Sequence, residues 1–284
     1  MAPPATFDRD AGPAPPIALR PSASAMAWRV VARPKVWRPL LTLALILISW
    51  ELVGRYVLTN KLFFVPLSDV VRATVELLRT GELEHHFAAS FSAILYGMLL
   101  ATAIGIAFGI LIGASSTVAD YTEVYLNALY ATPLVAIAPL LILWLGIGIA
   151  SKVAVVFLIS VFPIVISTAS GVRNVDAHYL EVARAFGARE TQIVAKVMIP
   201  AALPFVLTGI RLAVGRAIVG VVVGELFGAN AGLGYLIYTS GQTFDVPTLF
   251  SAVLCLAFAG VFLTWLVARL EARLARWKHS SIEG

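Results

Sequence analysis

The residues best suited to chemistry in this sequence are charged side chains that stand inside an apolar run at 203–226. The run carries Arg211, Arg216 and Glu225. An ionisable side chain at mid-membrane costs roughly 2.5–3.5 kcal/mol, so it normally pairs or faces a water-filled path. We therefore interpret one helical stripe and its neighbour as the candidate lining of a solute pathway: Arg211, Gly215, Arg216, Ile218, Val222 and Glu225.

Two interpretations of these charges remain open. In the first, the arginines favour the passage of an anion through the membrane. In the second, the charges are structural: Arg211 reaches the cytoplasmic lipid headgroups, and Arg216 pairs with Glu225 or with a backbone carbonyl of the apolar run at 124–147. Both interpretations need the run to be a membrane-spanning helix with protein on at least one side.

Patterns that carry catalysis or metal binding are absent from the sequence. There is no G-x-x-x-x-G-K-[ST] loop to hold the phosphates of a nucleotide, and no H-E-x-x-H pair to hold zinc. The histidines are scattered at His85, His86, His178 and His279, and we expect each to be a solvated loop residue. The chain is therefore predicted to bind no metal or cofactor of its own and not to be an enzyme.

The composition is that of a membrane protein. The chain has 284 residues, of which 60% are hydrophobic and 13% are charged, and its mean hydropathy is +0.89. Soluble domains are about 45–50% apolar and about 25% charged, so a soluble globular protein and a disordered chain are both excluded. A single cysteine, Cys255, excludes a disulfide scaffold. The net charge of +5 indicates loops beside lipid rather than a nucleic-acid partner.

Six apolar runs reach the length of about 20 residues that crosses the hydrocarbon core of a bilayer. Each is predicted to be an α-helix, because lipid offers no partner to an open backbone polar group. In the second run, Gly105 and Gly109 form a G-x-x-x-G pair that permits close helix contact. The runs are 40–58, 88–113, 124–147, 153–172, 203–226 and 247–268, and a half-helix or re-entrant segment is predicted at 232–240.

Two smaller features accompany the first run. Glu51 and Arg55 are four residues apart on one helix face, so they are predicted to neutralise each other. Residues 67–79 follow an amphipathic pattern, so we expect a short helix there with Ser68 or Asp69 as its cap. Both features are interpreted as structural.

The distribution of Lys and Arg predicts which ends of the runs face the cytoplasm. With the N-terminus inside, fourteen basic residues fall in 1–39, 173–202 and the C-terminal stretch, and four fall outside, in 59–87 and at Lys152. An excess of basic residues marks cytoplasmic segments. Both termini and the long loop are therefore predicted to be cytoplasmic, and the proline-rich residues 1–37 are predicted to form a disordered tail.

The loop at 173–200 is predicted to fold as two helices joined by a turn. Asn174 or Asp176 is suited to cap the first helix, because a short polar side chain accepts from the free N–H groups there. Gly187 is expected to end that helix, since glycine adopts the left-handed conformation at helix C-termini. The second helix is expected to begin near Arg189.

The first loop helix carries an apolar stripe on an otherwise charged surface. Tyr179, Val182 and Phe186 recur at helical spacing and share one face. This stripe either packs on the membrane helices of the same chain or docks into a groove of a cytoplasmic partner. The sequence pattern alone leaves both alternatives open.

The same loop resembles the EAA signature of the permease subunits of binding-protein-dependent ABC importers. That signature is E-A-A, three residues, G, and then an I-x-L-P end about nine residues later. This chain departs from the signature at two places: Val182 stands where the signature has its first Ala, and Met198-Ile199 stands in the hydrophobic end. The matching positions are Glu181, Val182, Ala183, Gly187, Ile199 and Pro200.

The resemblance extends on both sides of this loop and covers roughly residues 62–277. The stretches 141–152, 162–176, 198–217 and 224–240 are similar to the nitrate, sulfonate and taurine branch of that family. The resemblance implies an all-α membrane protein with six transmembrane helices, in the type I ABC importer permease fold with a cytoplasmic coupling helix. The implied organisation is a tail at 1–37, the first transmembrane helix and an external amphipathic segment at 38–87, a permease core at 88–270 with the coupling loop at 173–200, and a cytoplasmic tail at 271–284.

The resemblance also implies partners, in the bacterial inner (plasma) membrane. A second copy of the chain completes the pore as a homodimer, and two cytoplasmic ABC ATPase subunits, which hold ATP and Mg, bind the coupling loops. A periplasmic substrate-binding protein delivers the solute. The residues implied to couple to the ATPase are Tyr179, Glu181, Val182, Ala183, Phe186, Gly187, Ile199 and Pro200.

Two classes of function remain open. The first is the permease subunit of an ATP-driven importer for a small anion such as a sulfonate, taurine or nitrate. The alternative is an ion-coupled secondary transporter that uses Glu51, Glu225 and the intramembrane arginines as a relay. The two differ in one respect, because only the permease needs an ATPase at 173–200.

Overall fold

The computed structural model describes residues 34–58, 60 and 62–274, and every regular element in them is a helix. Two π turns lie at Val53–Val57, after the first helix, and at Val194–Met198, inside the eighth. In chain order the helices are α1 (Pro34–Leu52), α2 (Leu67–Arg79), α3 (Glu82–Ala114), α4 (Ser116–Ala131), α5 (Ala138–Leu145), α6 (Ile149–Arg173), α7 (Ala177–Ala185), α8 (Glu190–Gly228), α9 (Leu233–Gln242) and α10 (Val246–Leu274).

The two predicted tails fall largely outside the described residues. α1 begins at Pro34, within the stretch 1–37 that the sequence analysis assigns to a tail. α10 continues to Leu274, within the predicted tail at 271–284. The rest of each predicted tail is not covered by the structure.

The third predicted span is broken in the structure. Within the described residues, five helices are long and apolar enough to cross a membrane, and a sixth span exists if the bent pair α4 and α5 is counted as one. These two helices meet at 81°. Pro133 lies at the break, where proline removes a backbone donor and clashes with the preceding turn. The prediction of a continuous helix at 124–147 is therefore wrong, and the other five predicted spans are helical.

α6 packs against α3 along a line of glycines. A Cβ built on any of four α3 glycines would lie 2.5–2.9 Å from a side-chain atom of α6, so only glycine permits this approach. The two residues of every pair are the same number of positions apart in the sequence, which shows that the two helices run parallel in a fixed register. The pairs are Gly97 with Val156, Gly105 with Ile164, Gly109 with Thr168 and Gly113 with Val172, each separated by 59 residues.

α6 packs against α8 by the same principle, with the two helices antiparallel. The glycines in this contact come from both helices, and the residue numbers of each pair sum to the same value. α6 is the central helix of the bundle, because 61% of its most apolar stretch is buried, against 28% for α3 and 33% for α8. The pairs are Gly171 with Phe205, Ser167 with Gly209, Val156 with Gly220 and Lys152 with Gly224.

The short helix α2 is held by α1 rather than by its own cap. Glu51 accepts from the Ser68 backbone N–H at 2.9 Å and from Ser68 Oγ at 3.0 Å, and it pairs with Arg55 at 2.6 Å. The predicted Glu51–Arg55 pair is therefore confirmed. The prediction of Ser68 or Asp69 as the cap is wrong, because Pro66 occupies the cap position and the carboxylate of Glu51 satisfies the first turn instead.

The glycine line predicts a site-specific cost for one added methyl group. Gly109→Ala should lower the free energy of unfolding by about 1–3 kcal/mol, because the new Cβ meets Thr168 and the Val165 carbonyl. Gly215→Ala is the matched control, since a Cβ there meets no atom within 4 Å and alanine favours the helix. Thermal unfolding in detergent measures both variants. Equal losses at the two sites would contradict this account of the packing.

Candidate functional site

The loop helix α7 forms for the local reasons that the sequence predicts. Asp176 is its cap, and the carboxylate of Asp176 accepts from the His178 backbone N–H at 2.9 Å. The helix ends at Phe186, and Gly187 follows with φ of +76°. A Cβ at Gly187 would meet nothing within 4 Å, so glycine is needed there for its backbone conformation rather than for space.

The apolar stripe of α7 is open to the surroundings of the chain. None of the residues of α7 is buried, and Tyr179, Val182 and Phe186 are all exposed, Phe186 by 87%. Glu181 is exposed on the same short helix, whereas Ala183 is half-buried. The alternative in which this stripe packs on the membrane helices of its own chain is therefore wrong.

The second part of the predicted loop is the beginning of α8. The helix starts at Glu190 and continues without a break to Gly228, through the π turn that precedes Ile199 and Pro200. Ile199 and Pro200 are exposed on α8, so they share the loop region with α7 but stand on a different element. Arg184 of α7 pairs with Glu190 at 3.2 Å across the turn at Gly187.

The two arginines of α8 have partners that the sequence analysis did not assign. Arg211 pairs with Glu271 of α10. Arg216 donates to the hydroxyl of Tyr130 at 3.3 Å, and its guanidinium lies 5.4 Å from the centre of the Tyr130 ring. The interpretation in which Arg216 pairs with Glu225 is therefore wrong.

The six predicted lining residues do not share one open face of α8. Gly215 and Arg216 are exposed, and Arg211 is half-exposed beside α10. Ile218 and Val222 pack into clusters with residues of α3, α9 and α10, and Glu225 is buried. In the described chain, the stripe that remains open is thus narrower than the predicted one and centres on Gly215 and Arg216.

Glu225 belongs instead to a polar network inside the chain. The carboxylate accepts from Lys152 Nζ at 3.3 Å and from Ser90 Oγ at 2.9 Å, and only 1% of Glu225 is exposed. Lys152 Nζ also donates to the Ala231 carbonyl at 2.6 Å. This network joins α3, α6 and α8 at the end of the bundle opposite the loop helix.

Sequence analysis missed Lys152 and Ser90 of this network, and also His86 of α3, which accepts from the Gly232 backbone N–H at 3.0 Å. Lys152 is assigned there to an external loop, and His86 is expected to be a solvated loop residue, but both are buried. Ser90 carries no signal at all, since a serine in an apolar run is common. Nothing in the sequence pairs Lys152 with a carboxylate 73 residues away, because that contact depends on the register between α6 and α8.

Comparison with known protein families identifies the family of this chain. The sequence profile of the family described as the inner membrane component of binding-protein-dependent transport systems matches residues 105–276, which is more than half of the chain. The chain belongs to this family. The matched residues of this permease include the broken span, the central helix α6, the loop helix α7 and all of α8.

Curated relatives confirm the branch to which the sequence is similar. The putative aliphatic sulfonates transport permease protein SsuC of Bacillus subtilis (strain 168) is 35% identical over 241 residues, which cover 85% of this chain and 87% of the relative. The taurine transport system permease protein TauC of Escherichia coli (strain K12) is 28% identical and covers 91% of this chain and 95% of the relative. The formylaminopyrimidine transport permease protein ThiX of Halalkalibacterium halodurans is 32% identical over 240 residues.

A solved structure confirms the fold class. A chain of the MetNI methionine ABC transporter, in an inward-facing conformation, matches with a TM-score of 0.58 at 19% identity. The match covers 66% of this chain and 93% of that chain. The permease therefore has the all-helical fold of type I ABC importer subunits and is a multi-pass inner membrane protein.

Proposed function

We propose that this chain is the permease subunit of an ATP-driven importer, that it couples through α7 to a separate ATPase, and that it carries a small anion. In this proposal a second copy completes the pathway as a homodimer, and two ATPase subunits hold ATP and Mg. A periplasmic binding protein supplies the solute, and both termini and the loop helix face the cytoplasm.

The observation that carries the proposal is the bare apolar face of α7. A helix of nine residues with no buried side chain does not hold itself in place by packing. Three exposed apolar side chains at helical spacing are what a groove in a partner binds, in the manner of other short docking helices. The family signature falls on the same helix, at Glu181, Val182 and Ala183, and on Gly187 just after it.

The connections of α7 explain how a partner would drive transport. Arg173, at the end of α6, pairs with Glu123 of α4 at 3.1 Å, and the Arg184–Glu190 pair ties α7 to the start of α8. A displacement of α7 therefore acts on α4, α6 and α8 together. In the proposal, closure of the ATPase pair supplies this displacement and switches the pathway between its two faces.

The open arginine of α8 supports an anionic substrate. Arg216 is exposed and is held by a phenol rather than by a carboxylate, so its charge is not neutralised by this contact. A guanidinium in that position suits a sulfonate or nitrate oxygen, because its planar donors match such oxygens. The sulfonate and taurine relatives agree with this substrate class.

Docking at α7 predicts that one exposed aromatic residue is essential for assembly. Phe186→Ser should reduce the amount of ATPase recovered with the permease at least about tenfold, since buried aromatic residues dominate such interfaces. Phe63→Ser is the matched control, because Phe63 is 77% exposed and lies between α1 and α2. Co-purification from membranes, with thermal unfolding as a check on folding, measures both.

Two results would contradict the proposed coupling. One is recovery of the ATPase with Phe186→Ser at the level of the control. The other is uptake that persists without any ATPase and collapses with the proton gradient, which would favour the secondary-transporter alternative.

The substrate proposal predicts a selective transport defect. Arg216→Gln should raise the KM for an anionic sulfonate about tenfold in proteoliposomes that contain the binding protein and the ATPase, since one charge-assisted hydrogen bond is lost. Arg216→Lys should retain part of the affinity, and Arg72→Gln, on α2, should change nothing. Unchanged uptake by Arg216→Gln would remove the anion site from α8.

A further inference from the structure

The beginning of α9 is held by side chains from two other helices. Its first free N–H groups, at Gly232, Leu233 and Gly234, donate to three different acceptors. These acceptors are His86 Nδ1 at 3.0 Å, Ser90 Oγ at 2.7 Å and the Glu225 carboxylate at 2.8 Å, in the same order. A helix start is normally satisfied by its own cap residue or by water, so this arrangement fixes α9 to α3 and α8.

Packing at the beginning of α9 is so close that only glycine fits at positions 232 and 234. Gly232 has φ of +131°, which side chains rarely adopt, and a Cβ there would overlap the carboxylate of Glu225. A Cβ at Gly234 would lie 2.9 Å from the Val222 carbonyl. The short loop before α9 is therefore pressed against α8, and Lys152 holds it from the other side through Ala231.

A buried ion pair of this kind specifies a geometry more than it stabilises a fold. Removing two charges from water offsets most of their attraction, and an apolar pair of the same size serves stability as well. Removal of one partner is costly, because the other charge stays buried and unpaired. The Lys152–Glu225 pair, with both side chains almost fully buried, thus has the properties of an anchor for the position of α9.

The Lys152–Glu225 pair joins α6 and α8, the two helices that precede and follow the loop helix α7 in the chain. Lys152 lies near the start of α6, which ends at Arg173 directly before α7, and Glu225 lies near the end of α8, which begins at Glu190 directly after α7. The two helices keep one register along their common length, from the Gly171–Phe205 contact to the Lys152–Gly224 contact. A displacement of α7 therefore reaches α9 as a rigid-body movement of α6 and α8.

We propose that Lys152, Glu225, Ser90 and His86 are positioning residues that fix α9 at the end of the bundle opposite α7 and make α9 move as one body with α6 and α8. This inference rests on the proposed function. It adds the residues that couple α9 to the loop helix.

The test reads the position of α9 and transport separately. In a Cys255→Ala background, Leu236→Cys provides a reporter on α9, because Leu236 is 4% exposed and packs against Leu77, Leu83 and Leu256. Labelling of Cys at this position with a membrane-impermeant maleimide measures release of α9. Uptake and ATP hydrolysis are measured in the complete transporter in proteoliposomes.

The single charge variants should release α9 and uncouple transport. Glu225→Gln and Lys152→Met should each raise the labelling rate and lower uptake at least about tenfold, while ATP hydrolysis continues, since each strands one buried charge. The double variant, Lys152→Met with Glu225→Gln, should assemble and unfold thermally like the parent, because no charge is stranded, but should keep the raised labelling and low uptake, because the contacts of Lys152 with Glu225 and Ala231 are absent.

Two serines provide a milder matched pair. Ser90→Ala removes the hydroxyl between Glu225 and Leu233 and should raise labelling measurably. Ser251→Ala removes an equally buried hydroxyl that joins α10 to Val70 of α2, and it should leave labelling and uptake unchanged. If Glu225→Gln fails to assemble, the two serine variants still test whether the side chains at the beginning of α9 hold it in position.

Several outcomes would overturn the inference. These are protection of the Leu236→Cys site in every single variant, loss of uptake while that site stays protected, a double variant that labels and transports like the parent, and equal effects of the two serine variants. A parent protein that binds no ATPase would instead refute the proposed function, and the labelling results would still test the anchoring of α9.

Discussion

Close backbone contact along α6 is the constraint on which the rest of the structure depends. Lipid gives no hydrophobic drive between helices, so dispersion contacts at short range must hold the bundle together. Glycines of α3, and glycines shared between α6 and α8, let the central helix approach both neighbours in constant register. A helix fixed in this way neither slides nor rotates without breaking several contacts at once, so the contacts at its two ends are set by the same packing.

This rigid packing relates the loop helix to the far end of the bundle. α7 contributes no buried residue, so its position depends on α6 before it, on α8 after it and on whatever covers its apolar face. At the other end, Lys152 and Glu225 stand opposite each other because Lys152 and Gly224 are in register. The same contact pattern thus places the loop helix and the buried ion pair at opposite ends of two helices that share one register.

The sequence predicts the elements whose causes are local and misses those that depend on register. The cap Asp176 and the turn at Gly187 follow from the chemistry of single residues, and the structure has both. Pro133 was visible in the sequence, but whether a proline kinks or breaks a span depends on what packs against the freed carbonyls. Lys152 and Glu225 meet only after two helices have docked, so no window of sequence connects them.

The charged side chains that join two elements show how Arg216 differs from Arg211. Several such side chains are described within or beside the helices. These ties are Glu51 with Ser68, Arg173 with Glu123, Arg184 with Glu190, Arg211 with Glu271, and Lys152 with Glu225.

Arg216 meets a tyrosine at the break of the third span instead. The tyrosine orients the guanidinium without neutralising it, so this contact leaves a positive charge on the open side of α8.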